Sequence, residues 1–165
     1  MKTQKKITKN KISKFKSFTL IEILVVATII ALLASGGVVV YTQLNRASRD
    51  AKRKADLEQI RAALEMYRSN NNYYPLSSSV NTTCGNTTGL SDGTSTYLSD
   101  IPDDPKCSTY KYYYNPLPSG CNNTTVYCND YTLAAHLETI STTCQSLSNQ
   151  CTSNCTYCLG PYGQK

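Results

Sequence analysis

A single histidine, no tryptophan, no acid before Glu22 and no cysteine before Cys84 are the most telling shortages of this 165-residue chain. His136 has no nucleophilic partner near it and reads as a sheet residue, so histidine-based acid–base chemistry has no foothold. Nothing else in the sequence supports catalysis, and no cofactor is expected. No acid offsets the seven lysines of residues 1–17 (Lys2, Lys5, Lys6, Lys9, Lys11, Lys14, Lys16), so the formal charge of +6 is a local matter. Beyond residue 17, ten basic residues face eleven acidic ones, and a basic excess confined to a leader is poor evidence for nucleic-acid binding. No specific nucleic-acid or small-molecule partner is expected.

Charge is also missing from Ile23 to Tyr41, and Glu22 is the only charged residue between Phe18 and Tyr41. At ~1.5 Å per residue, 19 uncharged residues reach across a hydrocarbon core of about 30 Å. A buried core helix is the bland alternative, but so short a chain cannot surround such a helix on all sides. A secretory signal peptide is the sharper one. It fails because the run exceeds the usual apolar region and no small-x-small cleavage site closes it. Residues 18–41 are therefore expected to be a retained transmembrane helix. The leader lysines favour an N-terminus inside the cell, which sends everything after Tyr41 outward. The cluster Arg46, Arg49, Lys52, Arg53 and Lys54 opposes that orientation, whereas the cysteines favour it.

From Thr42 to Arg68 there is neither glycine nor proline, and good helix formers dominate. Asp50/Lys54, Lys54/Glu58 and Glu65/Arg68 sit at helical spacing. Asn70-Asn71-Asn72 ahead of Pro75 is the stop. One helix of roughly 78 Å is thus expected over about 18–69, with 42–69 as its amphipathic continuation. On this second half Ala47, Ala51 and Ala55 line one side, and Leu57, Ile60, Leu64 and Tyr67 lie nearly opposite. The pattern fits either one core stripe drifting round the helix or two faces, one for close helix–helix approach and one for a globular domain.

Beyond Pro75 the period changes. Tyr110–Tyr114 and Thr125–Tyr127 through Asn129–Ala135 read as strands, separated by the turn-rich segment Asn115–Gly120. The expected fold class is α+β, with a small antiparallel sheet on the helix, a long loop over 76–96 and a cysteine-held, otherwise irregular tail over 141–165. Thirteen tyrosines suit half-wet sheet faces and contact surfaces. The eight cysteines (Cys84, Cys107, Cys121, Cys128, Cys144, Cys151, Cys155, Cys158) all follow Pro75, which points to a disulfide-stapled extracytoplasmic domain over 70–165. Eight cysteines allow about a hundred pairings, and spacing does not choose among them. A four-thiolate zinc site over Cys144, Cys151, Cys155 and Cys158 departs from the common paired spacing, and disulfides are preferred there.

The segment Ser17-Phe18-Thr19-Leu20-Ile21-Glu22, followed by Ile23-Leu24-Val25-Val26-Ala27, resembles the N-terminal processing site of type IV pilins and type II secretion pseudopilins. The likeness continues from Ala55 through Tyr67 to Asn72-Tyr73-Tyr74-Pro75, covering about residues 16–75. The resemblance implies cleavage of leader 1–17 between Ser17 and Phe18 by a prepilin peptidase, and N-methylation of Phe18. It also implies that Glu22 serves methylation and assembly. The carboxylate would pair with the N-terminal ammonium of a neighbouring subunit, which removes the cost of leaving it alone in hydrocarbon. Family members usually carry glycine before the cut; here it is Ser17, another small residue, and processing is expected. Gly36-Gly37 falls mid-helix, either as a segment that unwinds in filaments or as a close-packing point. Resembling pseudopilins hold calcium in a C-terminal loop; the candidates here, Asp100, Asp103 and Asp104, read more simply as a solvated acidic turn.

The reading is therefore a filament subunit, pilin or pseudopilin. It would sit single-pass in the inner membrane before joining a surface or periplasmic filament with copies of itself and other pilin-like subunits. The alternative is a monomeric signal-anchored extracytoplasmic binding module. Sequons at Asn81, Asn86, Asn122, Asn123 and Asn154 arise readily by chance in a chain this rich in asparagine and threonine.

Overall fold

The computed structural model describes residues 18–141, 143–144 and 155–165, apart from the side chains of residues 37–39. The chain divides into two compact units, one ending at Tyr41 and one running from Thr42 to Lys165. Helix α1 (Leu20–Asn71) contributes to both. In the first unit it is continuous through Gly36, and none of its apolar window is buried. By length and composition, this is a helix able to cross a membrane.

The second unit is α+β. Its strands are β1 (Leu90–Ser91), β2 (Thr96–Leu98), β3 (Tyr113–Leu117), β4 (Asp130–Ala135), β5 (Tyr157–Gly160) and β6 (Gly163–Gln164). β1 and β2 form a short antiparallel hairpin, and the main sheet is antiparallel in the order β3-β4-β5-β6. Leu57, Ile60, Ala63, Leu64 and Tyr67 of α1 recur every three or four residues and form one apolar face. That face buries against Tyr112, Tyr114, Tyr131, Leu133, Ala135, Leu137, Tyr157 and Leu159. β4 is buried on both sides, because Ala134 points the other way into a second cluster with Cys144, Cys155 and Cys158. The cysteine-rich tail thus covers the sheet face that the helix does not.

The helix ends at Asn72, whose φ of 66° lies in the left-handed region that asparagine tolerates, and its N–H donates to the Arg68 carbonyl at 2.7 Å. Four expectations are corrected downstream of it. Asn115-Pro116-Leu117 belongs to β3 rather than to a turn; Pro116 pairs with Tyr131 on an edge strand, where a missing N–H is tolerated. Thr125–Tyr127 is not a strand, because Asn122 Oδ1 accepts the Thr124, Thr125 and Val126 amides at 3.0, 2.9 and 3.1 Å, which removes them from any ladder. The tail is not wholly irregular: residues 157–164 supply β5 and β6, with Leu159 in the core. The 76–96 loop likewise contains a 3₁₀ turn (Ser77–Ser79), β1 and the first residue of β2. Asp92 turns that hairpin by accepting the Thr94 and Ser95 amides at 2.8 and 2.7 Å.

Candidate assembly site and the ionic clamp of the domain

The candidate assembly site opens the described chain. Phe18 is exposed and Thr19 is the helix N-cap: its Oγ1 accepts the Glu22 amide at 3.3 Å, and its carbonyl accepts the Glu22 and Ile23 amides at 3.1 and 3.3 Å. Thr19-Leu20-Ile21-Glu22 is therefore the sequence of a capping box, which satisfies amides at the helix start. Placing the negative Glu22 in the first turn also suits the positive end of the helix dipole. Capping by Thr19 was legible as Thr-x-x-Glu and escaped the sequence reading, which treated the segment only as a processing motif. Ser17 and the leader lie outside the described residues.

In the second unit Ala47, Ala51 and Ala55 are exposed, whereas Leu57, Ile60, Leu64 and Tyr67 are buried. The helix carries two faces there rather than one drifting stripe. On the buried face lies a feature the sequence reading missed. Arg53, counted there as one of a basic cluster, is fully buried. Its Nε and Nη2 donate to Asp104 Oδ2 and Oδ1 at 2.7 and 3.0 Å, and Nη1 donates to Asp50 at 2.8 Å and Glu138 at 3.0 Å. Glu138 also takes Arg49 at 2.7 and 2.6 Å and Lys106 at 2.9 Å. Asp50 accepts the backbone amides of Glu138 and Thr139, both at 2.9 Å, and the Thr139 hydroxyl at 2.6 Å. The signal for Arg53 was its place on the stripe that continues through Leu57, Ile60 and Leu64.

The clamp sets the charge state of its members. Hydrogen bonds from Arg49, and then from Lys106 and Arg53, hold Glu138 well below the usual glutamate range despite the opposing cost of burial. Burial pushes Asp50 up, but its bonds to Thr139, Glu138 and Arg53 outweigh that and leave it lowered. Burial works against the charged form of Arg53, yet Asp104 and Glu138 overcome it and the guanidinium is held charged. Elsewhere on the buried face, burial raises Asp56, whose Oδ2 accepts the Tyr112 hydroxyl at 2.7 Å. Glu65 accepts the Tyr131 hydroxyl at 3.0 Å and the Tyr74 hydroxyl at 3.1 and 3.0 Å, and Tyr74 is pushed up to about 12 by burial first of all. Tyr74, Tyr112 and Tyr131 are core residues, not half-wet ones. His136 follows β4 and stacks on Tyr110 at 4.3 Å.

Among the described residues three disulfides have both partners in place: Cys84–Cys107, Cys121–Cys128 and Cys144–Cys158. Cys155 is disulfide-bonded as well, and Cys151 lies outside the described residues. The calcium candidates do not converge. Asp104 has both carboxylate oxygens on Arg53, Asp103 accepts the Gly85 amide at 3.0 Å, and Asp100 is exposed. Among the described residues, side-chain donor atoms of His, Cys, Asp or Glu meet in a group of three only at Cys84, Asp103 and Cys107, two of which share a disulfide. Asn122 and Asn123 spend their side chains on turns; Asn123 bridges the Tyr74 carbonyl and the Cys128 amide at 2.9 and 2.8 Å. Asn154 lies outside the described residues.

The family described as "Type II secretion system (T2SS), protein G" matches residues 40–128, more than half of the chain. The chain belongs to the type II secretion system protein G family. A second family, the prokaryotic N-terminal methylation motif, matches residues 12–38, the stretch that contains the Phe18–Glu22 site. The type II secretion system core protein G of Pseudomonas aeruginosa strain PAO1 is 36% identical over 103 residues, which cover 58% of this chain and 70% of that protein. No solved structure matches. As a protein G family member the chain is pilin-like, and the match at 40–128 takes in the clamp residues Arg49, Asp50, Arg53, Asp104 and Lys106 but stops short of Glu138 and the last four cysteine positions.

Proposed function

We propose that this protein is a structural subunit, not an enzyme, of a type II secretion-like filament built from copies of itself and other pilin-like chains. The observation that carries the reading is the adjacency of an N-terminal methylation motif at residues 12–38 and the protein G match at residues 40–128. In this reading the leader 1–17 stays inside, residues 18–41 anchor the precursor in the inner membrane, and 42–69 continue the helix. Residues 70–165 then form the exported domain. A prepilin peptidase cuts between Ser17 and Phe18, and Phe18 is N-methylated.

The chemistry of residues 18–22 supports the assembly step. A new ammonium at Phe18 would lie beside an exposed capped helix start and within four residues of the Glu22 carboxylate. Alone in hydrocarbon that carboxylate costs about 2.5–3.5 kcal/mol on insertion scales. Pairing it with a neighbour's ammonium removes two unpaired charges at once. The exposed Ala47, Ala51 and Ala55 supply a strip against which a neighbouring helix can come close.

The test is intact mass spectrometry of membrane-extracted protein. The expected species lacks residues 1–17 and carries one added methyl group. A retained leader, or a cut beyond Tyr41, would overturn this reading.

A further inference from the structure

We propose that this chain has exchanged calcium for a built-in cation and disulfides: Arg53 draws together the chain segments a divalent ion would gather, and cysteine pairs hold the C-terminal segment. Three observations lead there. The first is supply. After Asp104 the chain contains only two acidic residues, Asp130 and Glu138, and none from residue 139 to its last residue. A calcium site takes about six to eight oxygens, carboxylates prominent among them. Here Asp130 is held by Lys165 Nζ at 3.1 and 3.0 Å, and Glu138 by Arg49, Arg53 and Lys106. A C-terminal loop without carboxylates cannot build such a site from side-chain charge.

The second observation is what stands in its place. The Arg53 guanidinium touches carboxylates from three separate stretches: Asp50 on α1, Asp104 in the loop before β3, and Glu138 after β4. Its planar fork makes four hydrogen bonds in fixed directions, one more than a lysine ammonium has donors to make. Tyr110 closes the remaining side, with its ring 5.4 Å from the guanidinium carbon. The third is the tail. Cys144–Cys158 and the backbone bond from the Cys144 amide to the Cys155 carbonyl at 2.8 Å pin it to the sheet face formed by Ala134. The Thr156 hydroxyl accepts the Leu137 amide at 2.7 Å, which continues the attachment to the residues beside Glu138. Cross-linking and an internal cation together leave an external ion nothing to organise.

The experiment follows thermal unfolding of oxidised full-length protein in detergent micelles. Near-UV circular dichroism of its 13 tyrosines is the signal. The wild type is compared in excess calcium, in EGTA and with a thiol reductant, alongside Arg53→Met and Arg53→Lys. A protein that bound calcium only when folded would gain stability in excess ion by mass action. The expected result is one and the same Tm in calcium and EGTA, and a large loss of Tm in reductant. Arg53→Met should fall by roughly 10 °C or more, because it strands buried carboxylates, with Arg53→Lys in between. A Tm that rises in calcium overturns the proposal even if neither variant folds. A wild-type Tm in Arg53→Met, or insensitivity to reductant, overturns the corresponding half.

Discussion

Residues 18–41 and residues 42–165 solve the hydrophobic problem in opposite ways. In the first unit the large apolar side chains, Leu20, Ile21, Ile23 and Leu24 through Leu33 and Val40, are exposed, and the unit buries none of its apolar window. In the second, Leu57, Ile60, Leu64, Leu133 and Leu159 are almost wholly out of water, and buried polar groups such as Arg53 have partners. One region needs a surrounding medium, whether lipid or neighbouring helices; the other supplies its own. The same helix serves both because helix propensity is satisfied locally, whereas burial is decided by what the rest of the chain can bring to each face.

The widest separation of the two regions should come from Glu22→Ala. The variant removes a charge from an apolar span, so membrane insertion should persist and the unit from Thr42 to Lys165 should melt as before. Filament yield in sheared and pelleted fractions should be abolished or sharply reduced. Normal yield would show that the carboxylate has no pairing role and that only the apolar surface matters.

A matched pair of truncations sharpens the contrast. Leu64→Ala should cost about 2–5 kcal/mol, because the helix and sheet cannot fully collapse into the space. Leu24→Ala should leave the denaturation midpoint of the domain unchanged, because Leu24 is exposed in the other unit. Chemical denaturation of both variants in detergent measures this. A shared loss of midpoint would mean that the apolar segment supports the domain after all.

Acid should loosen the second region through the carboxylates of its clamp. Glu138 and Asp50 are both lowered in the fold, from ordinary values of 4.5 and 3.8. A lowered carboxylate contributes stability that is fully present above its unfolded value and is lost as pH falls through the folded one. Asp56, raised by burial, runs the other way: its contribution is present at low pH and is lost as pH rises through its folded value. The two lowered carboxylates outnumber it, so the denaturation midpoint should hold from about pH 7 to about pH 5 and then decline. A midpoint that rises in acid would place the clamp outside the stability of the domain.

The long helix, Leu20–Asn71, was legible because its signals are local. The charge-free span, the stretch without glycine or proline and the Asn-rich stop before Pro75 each act through neighbouring residues. The long helix and the buried stripe of Leu57, Ile60, Leu64 and Tyr67 followed from periodicity. The strands were legible in part: Tyr113, Tyr114 and Asp130–Ala135 were placed in sheet, but Pro116 reads as a turn unless its edge position is known. Thr125–Tyr127 has strand composition, yet its amides are captured by the Asn122 side chain. Least visible were the disulfide pairs and the Arg53 clamp, whose ion pair with Asp104 joins residues 51 positions apart. A charge on an apolar stripe marks such a site, but names no partner.

The smallest predicted loss belongs to Arg61, which resembles Arg53 in its place on the helix but is partly exposed and has one carboxylate partner. Both are arginines of α1 with an acid three residues earlier: Asp50 before Arg53 at 2.8 Å, and Glu58 before Arg61 at 3.4 Å. The Arg61 pair is open to solvent, where water screens the attraction and two long side chains lose freedom to hold it. Arg61→Ala should therefore cost only about 0.2–0.5 kcal/mol, and even that should shrink as salt is added. Alanine's own helix propensity offsets part of the loss. The measurement is the difference in denaturation midpoint between Arg61→Ala and wild type at low and high ionic strength, with Arg53→Met as reference. If Arg61→Ala approached the loss produced at Arg53, a salt bridge at helical spacing would matter for its own sake. A loss confined to Arg53 means that burial, and the three carboxylates left without a cation, are what give an arginine weight in this domain.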